Sequence, residues 1–102
     1  GMIIGVCTLE LYLPQSESLK DKRSALKGLI SRLQREFTVS AAEIDFNDAR
    51  RSALIGVALV SNSAVHVQQL LANLVRWLEE NRPDLDLLQH RVEIMHVTPM
   101  TD

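Results

Sequence analysis

Along the first strand-length of chain, apolar and polar positions alternate. Cys7, Leu9, Leu11 and Leu13 fall on one side of an extended backbone, and Val6, Thr8, Glu10 and Tyr12 on the other. A period of two predicts a half-buried strand over residues 3–13, closed by Pro14. The period then lengthens. Leu19, Leu26, Leu29, Ile30, Leu33 and Phe37 share one stripe at helical spacing, which predicts an amphipathic helix of about five turns. Ser18 stands where an N-cap belongs, with Asp21 three residues on. "TVSAAEIDF", residues 38–46, predicts a second strand, with Ala42, Ile44 and Phe46 on its core side and Val39, Ala41, Glu43 and Asp45 on the other. "NDARR" reads as a polar turn. "SALIGVALV", residues 52–60, is nearly all apolar and predicts a central strand. "SNS" offers caps for a second helix, whose stripe is Val67, Leu70, Leu71, Leu74, Trp77 and Leu78 and whose stop is Pro83. A last strand near residues 87–97 sets Val92 and Ile94 against Arg91, Glu93 and Met95.

The predicted order is β-α-β-β-α-β. Two right-handed crossovers joined by a hairpin give an α+β ferredoxin-like sandwich, a four-stranded antiparallel sheet with both helices on one face. One domain is expected over residues 2–97, followed by a loose tail, 98–102. The helices are expected over Leu9, Leu11, Ile44, Val92 and Ile94. The bare face then carries Thr8, Glu10, Tyr12, Glu43, Asp45, Arg91 and Glu93, with apolar Val6, Val39 and Met95 among them. RNA-recognition domains of this topology stack bases on two or three strand aromatics. Here Tyr12 stands alone among four carboxylates, so the sheet is a poor place for a phosphate chain. A mixed open face or an edge strand suits a second copy better, and a homodimer is expected.

Composition adds one thing of consequence. The 102 residues suffice for one core, and 46% hydrophobic with 24% charged residues is ordinary for a globular protein. No apolar run approaches the ~20 residues of a membrane span, and no signal peptide precedes the first strand. Gly1 reads as a tag remnant. Cys7 is the only cysteine, which fits a reducing cytoplasm. The charge, however, is segregated. Residues 19–35 hold Lys20, Lys22, Arg23, Lys27, Arg32 and Arg35 against Asp21, a local +5, so the remainder carries −7 of the total −2. Cations in a first helical turn oppose the helix dipole. Lys20, Arg23 and Lys27 lie within about 60° of one another on the wheel, and Lys22 borders the apolar stripe on the other flank, from which it would snorkel. Such a strip suits RNA phosphates, with Lys20, Lys22, Arg23 and Lys27 as the binding set.

Other chemistry is sparse. Gly5, Gly28 and Gly56 are isolated, so there is no phosphate-cradling loop. No Cys/His set has zinc spacing, and His66, His90 and His96 read as surface residues. Glu43, Asp45 and Asp48 in "EIDFND" are weak candidates for a Mg²⁺ site, with Arg50 and Arg51 near enough to neutralise them. The expectation is therefore no catalysis and no cofactor; the alternatives to an RNA-docking role are a homodimeric interaction or regulatory domain without RNA binding and, less favoured, a metal-dependent phosphodiesterase.

The blocks "GVCTLELYLPQSESLKDKR", "FTVSAAEID" and "ALIGVALVSNS" resemble the YlxP family of small bacterial proteins, over roughly residues 3–97. The resemblance implies a ferredoxin-like fold. Because family members tend to be encoded beside translation-initiation and ribosome-maturation factors, it also implies a role around the ribosome, with ribosomal RNA or a subunit as partner. No activity carries over from the family. The chain departs from it at the "DARR" turn and in its short polar tail.

Overall fold

The computed structural model describes residues 1–100. The alternating opening segment forms β1, Met2–Tyr12, and the first helical stripe forms α1, Leu19–Phe37. β2, Ser40–Asp45, and β3, Ser52–Ser61, make the hairpin. They are followed by α2, Ala64–Asn81, and β4, Asp86–Val97. The sheet runs β2-β3-β1-β4, with every neighbouring pair antiparallel. This is the expected ferredoxin-like order. Residues 98–100 lie outside helix and strand, and the rest of the expected tail, Thr101 and Asp102, lies outside the described residues.

Both helix starts are capped by serine. Ser18 Oγ accepts from Asp21 N at 3.0 Å, and Ser63 Oγ accepts from His66 N at 3.2 Å. Asp21 returns the bond one residue further out, its Oδ2 accepting from Glu17 N at 3.0 Å. α1 ends on Thr38, which takes the left-handed conformation (φ 53°) usually given to glycine.

The core lies between the helices and one sheet face. Cys7, Leu9 and Leu11 of β1 and Ala53 and Ile55 of β3 are fully buried there, under Leu29 and Leu33 of α1 and Val67, Leu71 and Leu74 of α2. Gly5 has a specific reason to be glycine: a Cβ at that position would collide with Val67 Cγ1 of α2. The missing side chain lets α2 sit down on the strand. The two helices meet through an edge-on contact between Phe37 and Trp77, their ring centroids 5.9 Å apart, with the Arg32 guanidinium 5.3 Å from the Trp77 ring.

Antiparallel partners share a sheet face, so the register fixes which side chains stay bare. Cys7 pairs with Val92 and Gly5 with Ile94, placing these on the helix side; Thr8 pairs with Arg91 and Val6 with Glu93, placing these on the open side. Those expectations hold. β2 is the exception: its side chains are reversed up to Ile44, while Asp45, past the bulge, is on the open side as expected. Ala41 pairs with Val57 and Glu43 with Ile55, on the helix side, while Ala42 pairs with Gly56 on the open side. Val39 is buried and Ile44 is 54% exposed, its side chain lying over the space left by Gly56. A one-residue slip exchanges the faces of a whole strand. Ile44 and Phe46 are the large apolar side chains of this segment and suggest the opposite facing, but the inward set here is Ala41 and Glu43 and ends in a carboxylate. Past Glu43 the strand bulges, and Phe46 turns the chain with φ 65°.

The open face is consequently more apolar than expected. Ala42 and Ile44 stand on it in place of Ala41 and Glu43; Ile4, Val60 and Met95 cluster at one end, Glu93 lies opposite Val6, and Glu10 and Asp45 flank Leu54.

Candidate nucleic-acid interface

α1 carries the six cations picked out by charge segregation, and the structure divides them sharply. Lys20, Arg23 and Lys27 are exposed, and none has a carboxylate within ion-pair distance among the described residues. The nearby acids are otherwise engaged. Asp21 caps the Glu17 amide, and Glu17 lies 3.7 Å from the Arg51 guanidinium, which also donates to Ser16 O at 2.9 Å. Arg32 pairs with Glu36 one turn on, at 3.2 Å. The strip of Lys20, Arg23 and Lys27, with Ser24, Ser31 and Gln34 beside it, is therefore an exposed surface of unspent positive charge. Gly28 borders it, and nothing lies within 4 Å of where its Cβ would be. No packing contact requires glycine there.

Lys22 does not belong to this surface, contrary to expectation. Its side chain is 0% exposed. The ammonium donates to Glu43 Oε2 at 3.0 Å and to the carbonyls of Phe46, Asn47 and Ser52 at 2.8, 3.3 and 3.2 Å. All of its donor capacity is spent inside the protein, and a phosphate cannot reach it. A buried ammonium is tolerable only when paired and hydrogen-bonded, and this one is both. Lys22 is a knot: it ties the first turn of α1 to the bend between β2 and β3, where Phe46 holds its strained backbone. The wheel placed Lys22 at the edge of the apolar stripe. What it could not show is that Glu43 faces inward, which is the same register slip seen in β2.

That geometry also separates the candidate metal ligands. Glu43 points to the helix side and is committed to Lys22. Asp45 pairs opposite Leu54 on the other side, where its Oδ1 accepts from Phe46 N at 2.8 Å, and Asp48 lies exposed in the turn. The three do not converge, and no group of three metal-ligating side chains occurs among the described residues. His66, His90 and His96 are exposed and dispersed. Cys7 is buried, and burial pushes its thiol up to about 11, so it is held as a neutral packing group rather than a nucleophile. On the open face, the shallow hollow lined by Thr8, Glu10, Leu54, Gln89 and Arg91 is partly closed by Gln89 Nε2 donating to Glu10 Oε1 at 2.6 Å.

The molecule is thus a small ferredoxin-like α+β domain with one basic helical strip. Comparison with known proteins agrees with that class. The family described as "Protein of unknown function (DUF503)" matches residues 4–92. "Uncharacterized protein YlxP" of Bacillus subtilis (strain 168) is 31% identical over 91 residues, which is 89% of this chain and 98% of that protein. The chain belongs to this YlxP-like DUF503 family. No helix among the described residues is long and apolar enough to cross a membrane.

Proposed function

We propose that this protein is a non-enzymatic accessory factor of ribosome maturation or translation, docking on RNA phosphates through Lys20, Arg23 and Lys27. One observation carries the reading: three exposed, unpaired cations share one strip of α1, with Lys20 in the first turn where the helix dipole disfavours it, on a protein of net charge −2. A polyanion removes that conflict, since each phosphate contact supplies favourable, salt-dependent affinity. The acidic remainder turns the same polyanion away from other surfaces and leaves one orientation for docking. The family's genomic company supports the ribosome as the source of the RNA.

Co-sedimentation with ribosomal subunits at stepped salt tests this. Changing Lys20, Arg23 and Lys27 together to glutamine is expected to weaken binding and to lower the log–log salt slope by about 2–3. Thermal stability should be nearly unchanged, because exposed substitutions usually stay within about ±0.5 kcal/mol each. Equal binding by parent and triple variant, or no binding by the parent at about 100 mM salt, refutes the reading.

A further inference from the structure

The two edges of the sheet are built differently. β2 is 6 residues long, bulged between Glu43 and Asp45, and ends in the left-handed turn at Phe46. β4 is 12 residues long, and from Gln89 to Val97 it pairs with β1 without a break. Its outer row of backbone N–H and C=O groups has no strand partner among the described residues. Proteins blunt such edges with prolines, lysines, bulges or a covering loop. Over residues 89–97 β4 has no proline, lysine or bulge; its two charges, Arg91 and Glu93, are of opposite sign, and Val92, on the helix side, is still 41% exposed.

We propose that β4 pairs antiparallel with β4 of a second copy about a two-fold axis at Val92. The register follows from sidedness and charge. An axis between residues would set the helix side of one copy against the open side of the other, so only an axis on a residue is allowed. An axis at Arg91 or at Glu93 puts like charges directly opposite, which is unfavourable. An axis at His90 or Ile94 leaves both charges facing uncharged side chains. An axis at Val92 sets Arg91 against the partner's Glu93, twice by symmetry, and closes Val92 on the partner's Val92. Within one chain, Arg91 and Glu93 make only a loose contact of 3.6 Å, with side chains 79% and 59% exposed, so both are available. The result is a continuous eight-stranded sheet with its axis perpendicular to the strands' plane. All four helices then lie on one side, and both basic strips face the same way.

Sedimentation equilibrium on the intact chain, compared for the parent, Arg91→Glu, Glu93→Arg and the double swap, tests the pairing. The parent is expected to dimerise, and each single swap should raise the dissociation constant about tenfold or more, since two attractive pairs become repulsive. The double swap should restore dimerisation. Mild oxidation of Val92→Cys should give a covalent dimer that the parent, whose one thiol is buried Cys7, does not give. A parent that stays monomeric to millimolar concentration overturns the proposal. So does a dimer indifferent to both single swaps and broken instead by Ile4→Glu, which would place the contact on the apolar open face. These readouts do not depend on RNA, so they stand or fall apart from the proposed function.

Discussion

Two lysines three positions or fewer from Arg23 show how much one residue's surroundings decide. Lys20 is solvated and unpaired, while Lys22 is sealed beneath the β2–β3 bend. Lys22→Met is expected to cost about 3 kcal/mol or more, because it strands the inward Glu43 carboxylate and three carbonyls. Lys20→Met should cost little, and paired thermal melts of the two variants check the contrast. Sequence made the two look alike because both fall in one basic run; burial is a property of the fold and of where Glu43 points. Cys7 gives a second residue-scale test. Its thiol ionises only near pH 11 when folded, while an ordinary cysteine does so near 9.0. Between those values the unfolded chain holds fewer protons than the native one, so stability falls as pH rises. The slope from this residue is at most about 1.4 kcal/mol per pH unit, and below pH 9 it vanishes. Denaturant titrations of parent and Cys7→Ala across pH 8–11 should differ by that slope; parallel curves would show that the thiol does not titrate as described.

At the scale of elements, helix faces were easier to read than strand faces. α1 and α2 each repeat their apolar stripe over four or more turns, so a single exception does not shift the phase. β2 offers 6 residues, and its inward set is Ala41 and Glu43, a small residue and a charged one. Period-two reasoning has nothing large and apolar to hold to except Ile44, and the strand's alternation puts that side chain on the open face beside Ala42. β1 and β4 are longer and more regularly patterned, and their faces follow the period of two. The glycines separate two further cases. Gly28→Ala should stabilise α1 by up to about 1 kcal/mol, as nothing lies near the added methyl. Gly5→Ala should destabilise by about 1–3 kcal/mol, as the methyl must displace Val67 and lift α2 from the sheet. Urea midpoints moving in the same direction for both would contradict this account of how α2 is seated.

For the whole molecule, charge and architecture divide the surface into regions with different affinities. On the proposed reading α1 attracts phosphate and the acidic remainder does not, while the open face is apolar around Ile4, Val60 and Met95 and mixed elsewhere. A dimer of the proposed kind, with two such helices on one side of a joined sheet, would hold RNA through either and rebind through the other before leaving, so apparent affinity should fall more steeply on dilution of the protein than a single site allows. The bend at the far edge then acquires a meaning beyond holding one hairpin together. Strand pairing is an open-ended process: any sheet with two serviceable edges can add copies indefinitely and grow into a ribbon. Were β4 consumed by its own counterpart, as proposed, the margin left on either side would be β2, shortened, bulged and swung out of line at Phe46. Lys22 pins that distortion in place. On the proposed pairing, a buried ammonium deep under one hairpin would act as a chain terminator for assembly, setting the count at two and keeping a sticky architecture finite.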